Sequence, residues 1–206
     1  MRLIKASYEI RTKINASEIL RDLESAGRTC YKSEGRITNE SAPKFIDMIV
    51  NQYKHNSVIE HQHLSVKFIV DRGVSHELVR HRLASFSQES TRYCNYGKDK
   101  FGSEVTFIEP CWEWKFPEHR ARWLARRQHD EDGYFEMLDV GYSPQEARSE
   151  LPNATKTEVV MTSNLRHWRE IFTQRTGKAA HPQMREVMVP LLSEIKTLIP
   201  VIFDDI

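Results

Sequence analysis

The residues best equipped for chemistry lie between Arg80 and Arg92: Arg80-His81-Arg82, then Ser85, Ser87, Gln88, Glu89, Ser90 and Arg92. Arginine offers a planar fork of donors that grips phosphate or carboxylate oxygens in pairs, and hydroxyls and amides complete such a shell. Successive side chains on a helix diverge by about 100°, so the triplet need not share one ligand. Two phosphate groups of a nucleotide or dinucleotide would suit it. A solvated basic face followed by a polar loop is the plain alternative, and the triplet alone does not decide between them. Ser90 reads as a phosphate donor rather than a nucleophile, because no nucleophile-elbow glycines surround it. Glu77 precedes Arg80 and His81 at helix-face spacing, which suits an ion pair as well as a ligand contact.

Other reactive side chains form no recognised pattern. His55, His61 and His63 lack the spacing of a metal site, so no metal is expected. Cys30, Cys94 and Cys111 are odd in number and contain no C-x-x-C pair, which favours reduced thiols over a disulfide framework or an activated nucleophile. With 30 basic and 29 acidic residues the net charge is +1, so the chain has no overall footprint for duplex nucleic acid and any anion site must be local. Arginine outnumbers lysine by 18 to 12 and there are nine histidines, a bias toward small polar ligands.

The elements that must position these groups follow from periodicity. Hydrophobic residues make up 39% of the 206, enough for one domain spanning residues 1–206 with a real core. Residues 2–10 read as a first strand, and Ser17 as the cap of a helix through Ala26. A second helix begins near Asn39, with Phe45, Ile46, Ile49, Val50 and Tyr53 as its apolar face. Leu64, Val66, Phe68 and Val70 alternate as a half-buried strand. A helix over 74–83 carries the basic triplet, and Ser85–Gly97 reads as a loop. A strand over 104–108 is followed by a long helix over 117–140, then by a helix start at Ser143-Pro144-Gln145-Glu146. Thr155–Thr162 is rich in β-branched residues and reads as a strand, and Asn164 then caps a helix to about Thr176. A last helix over 181–198 contains Pro190. No apolar run approaches membrane-spanning length and the N-terminus lacks a signal-like apolar core, so a cytoplasmic, non-membrane protein is expected.

Arg80-His81-Arg82, seven residues, Ser90, with Arg92-Tyr93 beyond, resembles the signature of the flavin-dependent thymidylate synthases. The resemblance extends to Lys54-His55-Asn56-Ser57-Val58-Ile59-Glu60-His61, to Ala147-Arg148-Ser149-Glu150-Leu151-Pro152, and to Asn164-Leu165-Arg166, Gln174-Arg175 and His181-Pro182-Gln183, in the family's order. It implies an α+β fold, a mostly antiparallel sheet packed by helices, and a homotetramer with sites at subunit interfaces. It implies methylation of dUMP to dTMP, with methylenetetrahydrofolate as carbon source, FAD as redox carrier and NADPH as reductant. By matching position, FAD would be held by His55, Ser57, Arg80, His81, Arg82, Gln88, Asn164, Arg166 and His181. The nucleotide would be held by Glu77, Arg80, Gln88, Glu89, Ser90, Thr91, Arg92 and Arg148, with Arg175 polarising the uracil. Glu170 stands where relatives place an amide, and is left outside the expected site.

The competing functional class is a nucleic-acid-binding module built on Arg80–Arg92 and the arginine-rich segment Arg120–Arg127. The near-neutral net charge weighs against it, and Arg126-Arg127 reads as a solvated face. Trp123, Tyr134 and Phe135, at helical spacing, read as core.

Overall fold

The computed structural model describes residues 1–98 and 102–206. Its larger sheet has the strand order β2-β3-β6-β4, with β2 Ser7–Ile10, β3 His63–Asp71, β6 Lys156–Asn164 and β4 Ala84–Gln88. β3 and β6 run antiparallel: Leu165 N–H donates to Gln62 O at one end, and Arg72 N–H to Thr155 O at the other. β4 opposes β6 in the same sense, with Glu89 N–H donating to Glu158 O and the Ser163 hydroxyl to Leu83 O. A second sheet pairs β1 Arg2–Ile4 with β5 Thr106–Ile108 in parallel, Leu3 opposite Phe107.

The helices are α1 Ala16–Thr29, α2 Ser41–Ile46, α3 Arg72–Leu78, α4 Pro117–Asp139, α5 Pro144–Ala147, α6 Leu165–Thr176, α7 Pro182–Leu198 and α8 Pro200–Phe203. The chain gathers into two compact units. One comprises residues 1–7, 68–80 and 87–160. Its core is Val105, Phe107, Tyr134, Ala147 and Tyr96, with Trp123 and Phe135 packed against it, as their spacing suggested. Buried Glu131 of α4 accepts from Val105 N–H at 2.7 Å and pairs with the N-terminal amine at 2.7 Å. The other unit comprises residues 8–67, 81–86 and 161–206. There Trp168, Phe172 and Phe203 stack in sequence, and the Trp168 indole N–H donates to Leu64 O at 2.9 Å.

Several expectations are corrected. Residues 2–10 form two strands in two different sheets, because alternation reports which side chains are buried but not which partner a strand finds. The cap of α1 is Asn15, whose side chain accepts from Glu18 N–H; Ser17 only donates to the same Asn15 oxygen. The second helix starts at Ser41 and widens into a π-helical turn over Asp47–Gln52, with Tyr53 exposed beyond it. The helix expected over 74–83 is instead α3: Asp71 caps it, accepting from Val74 N–H at 2.7 Å, and it stops at Leu78. Residues 85–88, expected in a loop, belong to strand β4 at a sheet edge, where alternate residues face water and serines are tolerated. Arg127 is no solvated charge: it pairs with Asp130 at 2.7 Å and lies over the Trp123 and Phe107 rings.

Candidate functional site

In the unit that holds α6, His81 of the signature triplet meets the late arginine. Arg175, in the last turn of α6, donates from Nε to Nε2 of His81 at 2.9 Å, joining residues 94 positions apart in sequence. His81 is 6% exposed. Burial first, then the Arg175 and His167 charges, hold its imidazole down to about 4 from the usual 6.5, so it is neutral at physiological pH. Because Nε2 accepts, the ring proton sits on Nδ1. His167 lies edge-on to His81, ring centroids 5.7 Å apart, and its Nδ1 meets Glu170 Oε2 at 3.2 Å. Glu170 thus has a partner within its own helix. The start of α6 is fixed by Asn164, whose side chain accepts from His167 N–H at 2.8 Å.

Other residues of this unit that the resemblance singles out are exposed. Arg166 pairs with Glu60 at 2.6 Å in a solvent-facing bridge of the kind that contributes little stability. His55 Nδ1 shares a hydrogen bond with the Tyr31 hydroxyl at 3.2 Å, and Ser57 is exposed in the 3-10 turn Asn56–His61. Arg82 is exposed, without a hydrogen-bond or ion-pair partner among the described residues. His181 caps α7.

The other unit holds the nucleotide-type residues. Glu77 lies part-buried on α3, and Arg80 follows that helix with its side chain exposed. The Gln88 amide nitrogen donates to the hydroxyls of Ser75 at 3.0 Å and Thr157 at 3.2 Å. Ser75 already donates its proton to Arg72 O, so it must accept from Gln88, which fixes the amide with its oxygen free to accept. Glu89 accepts from the Tyr96 hydroxyl at 3.0 Å and from Lys156 at 2.8 Å, so its carboxylate is engaged within the protein. Burial and the Glu89 carboxylate push the Tyr96 phenol far above its ordinary value. Burial lowers the Lys156 ammonium, but hydrogen bonds to Glu158 and Glu89 outweigh it and raise the group overall. Ser90 Oγ accepts from Arg92 N–H, and Arg92 Nε donates to Gln145 Oε1 at 3.1 Å. A cavity of about 280 Å³ is lined by Thr91, Arg148, Gln145, Ser149, Leu151 and Arg72.

Each unit therefore gathers one half of the predicted set: His81 with Arg175 in one, and Thr91 with Arg148 in the other. Two participants escaped the sequence reading. His167 backs His81, and Arg72 enters the cavity; neither lies in a signature block, and only the i, i+3 relation of His167 to Asn164 and Glu170 hinted at a local role. Among the described residues, no group of three His, Cys, Asp or Glu side chains is placed to hold a metal ion. No helix among them is long and apolar enough to cross a membrane.

An arginine held by a neutral histidine and an arginine-lined cavity are donor sets that suit anionic ligands. The family described as thymidylate synthase complementing protein matches residues 14–201. The flavin-dependent thymidylate synthase of Geobacter sulfurreducens is 32% identical over 87% of this chain and 78% of its own length. That of Corynebacterium glutamicum is 29% identical over 97% of this chain and 84% of its own length. Among solved structures, the UMP/dUMP methylase PolB of Streptomyces cacaoi, bound with 5-Br dUMP, superposes with a TM-score of 0.79 at 21% identity, covering 99% of this chain and 96% of that one. Thymidylate synthase X of Helicobacter pylori, with FAD and dUMP, superposes with a TM-score of 0.74 at 19% identity, covering 97% and 98%. At those identities the structural likeness is one of fold. The chain belongs to the flavin-dependent thymidylate synthase family.

Proposed function

We propose that the chain, working as one domain over residues 1–206, methylates dUMP reductively to dTMP. Methylenetetrahydrofolate is the carbon donor, NADPH the reductant and FAD the redox carrier. The observation that carries this reading is the Arg175–His81 hydrogen bond, which ties the late arginine to the signature triplet through a neutral acceptor. The bond to His81 orients the guanidinium without consuming a carboxylate at that nitrogen. Making C5 of uracil nucleophilic moves electron density toward the ring heteroatoms, and a fixed guanidinium there stabilises the developing negative charge.

The donor set fits a flavin dinucleotide. Arg80 and Arg82 are exposed cations with no hydrogen-bond or ion-pair partner among the described residues, as a pyrophosphate requires. In this reading they hold the phosphates together with His81, Ser57, Asn164, Arg166 and His181, while His55 lies near the ring and Gln88 offers its amide oxygen. Bound flavin supplies hydride chemistry, leaving the protein to orient and polarise. Glu77, Ser90, Thr91, Arg92 and Arg148 hold the nucleotide, and Glu89 contributes through its fixed position between Tyr96 and Lys156. A homotetramer would complete sites from more than one chain, in the cytoplasm. The nucleic-acid reading loses support because Arg120 and Arg127 are neutralised by Glu109 and Asp130.

The test is a single-turnover assay with purified protein, dUMP, methylenetetrahydrofolate, FAD and NADPH. Formation of dTMP with flavin oxidation is expected. A colourless protein that makes no dTMP and retards oligonucleotides would overturn the reading.

A further inference from the structure

A cavity of about 850 Å³ lies in the unit that holds α1, lined by the end of that helix, the 3-10 turn Glu34–Arg36, α2 and the π-helical turn after it. None of the residues that the family resemblance assigns to flavin or nucleotide lines it. Buried Phe45 and Ile49 give it an apolar floor, and the exposed rings of Tyr31 and Tyr53 add aromatic surface. Lys32, Arg36 and Lys44 supply its charge, all exposed and all without a side-chain hydrogen bond or ion pair among the described residues. Arg28 differs from them: it pairs with buried Glu24 at 2.7 Å and lies over the Phe45 ring, so it is a wall whose charge is already offset. No carboxylate lines the cavity.

Three unpaired cations around an aromatic and apolar surface form a site for a polyanion that carries a flat ring. The volume is near the upper end for small-molecule sites and exceeds what a mononucleotide fills. The cavity also shares its edge with His55, the residue placed near the flavin ring. The Tyr31 hydroxyl meets His55 Nδ1 at 3.2 Å, the His55 N–H donates to Ile49 O at 2.9 Å, and the Tyr53 and His55 rings lie 5.9 Å apart. Two large ligands of the proposed reaction, the nicotinamide dinucleotide and the folate, have no residues assigned to them. The folate carries carboxylates alone. NADPH carries a pyrophosphate and a 2′-phosphate, a monoester that is predominantly a dianion at pH 7 with three acceptor oxygens. Unpaired cations are what a site needs to admit that 2′-phosphate, where a carboxylate would repel it.

We propose that this cavity receives the adenosine 2′-phosphate end of NADPH, with Lys32, Arg36 and Lys44 on the phosphates and Tyr31 and Tyr53 against the adenine. The assignment rests on the NADPH-dependent function proposed above, and names the residues by which the chain prefers NADPH to NADH.

Titration calorimetry of the flavin-loaded protein tests this with two unreactive probes that differ only in the 2′-phosphate, adenosine 2′,5′-bisphosphate and 5′-AMP. The parent should bind the bisphosphate at least roughly tenfold more tightly, the value of a charge-assisted contact, and the preference should shrink as salt is raised. Each of Lys32→Met, Arg36→Met and Lys44→Met should lose part of that preference, and the triple variant should lose all of it. These side chains are exposed and unpartnered, so the melting temperature should stay close to the parental one. In stopped-flow flavin reduction the triple variant should raise the apparent Kd for NADPH by a similar factor and erase the preference over NADH. Equal binding of the two probes by the parent, or a parental NADPH Kd in the triple variant, would overturn the assignment. So would a loss that falls instead on methylenetetrahydrofolate or on FAD retention, which would give the cavity to one of those ligands. A parent that binds the bisphosphate through these cations but makes no dTMP would sink the proposed function and leave the 2′-phosphate site standing.

Discussion

Neutral His81 makes a measurable demand on stability. Its imidazole is held at about 4 in the folded chain against 6.5 when free. Well above pH 6.5 it is uncharged in both states and contributes nothing to the pH dependence. As pH falls from 6.5 toward 4 the unfolded chain takes up a proton that the folded chain refuses, so stability is lost across that window. Burial sets the value first; Arg175 and His167 also disfavour the charge, and Glu170 favours it but is outweighed. The shift corresponds to a ceiling of roughly 3 kcal/mol between pH 7 and pH 4, and allowing for solvent screening reduces it to about 2 kcal/mol.

The perturbation is His81→Gln, whose amide oxygen can accept from Arg175 Nε but cannot titrate. Urea unfolding of parent and variant at pH 7, 5.5 and 4, at one protein concentration, isolates the contribution from that of the carboxylates, which both proteins share. The parent should lose about 2 kcal/mol more than the variant over that range. Equal losses would refute the argument, showing that His81 either titrates normally or unfolds locally before it is charged. An NMR titration of the His81 ring that ends above about pH 6 would refute it independently.

Arg175→Lys keeps the charge but loses the planar fork, and should lower turnover at least roughly a hundredfold at saturating dUMP while changing dUMP affinity much less, as a stopped-flow measurement of the chemical step would show. A near-parental rate would demote Arg175 to a positioning contact. Arg82→Ala should weaken flavin retention in a desalting assay while leaving the melting temperature nearly unchanged, since Arg82 is exposed and has no partner to lose. If sites are built between chains, dilution below the assembly constant should release flavin and abolish activity together, and sedimentation of an active monomer would exclude that.

Burial patterns were legible where periodicity is strong. β3 buries Leu64, Val66, Phe68 and Val70 as its alternation implies, α4 spans nearly its expected range, and Asn164 caps α6 as its residue type suggests. Partner choice was not legible: β1 and β2 read as one strand because both alternate, yet they pair with different neighbours. β4 was hidden because an edge strand rich in serine has the composition of a loop, and its identity comes from the β6 backbone beside it. α3 stops short of the basic triplet, a boundary that depends on Val79 N–H bonding to Ser75 O and Glu77 O and not on any breaker residue.

The site shows the same division between chemical identity and environment. Spacing could nominate His81 and Arg175 as functional, but not that burial keeps one neutral so that it can accept from the other. It could offer Glu89 to the substrate, whereas the fold spends both its oxygens on Tyr96 and Lys156. That engagement is itself useful: with Glu89 N–H bonded to Glu158 O and its side chain anchored on both oxygens, the segment entering Ser90, Thr91 and Arg92 is held at its first residue. Donors aimed at an anion gain most when they need not be reorganised on binding, and a part-buried carboxylate anchored within the protein can supply that preorganisation. In the proposed reading Glu89 serves the site at least through the backbone it fixes, and residue type alone does not separate that role from direct contact.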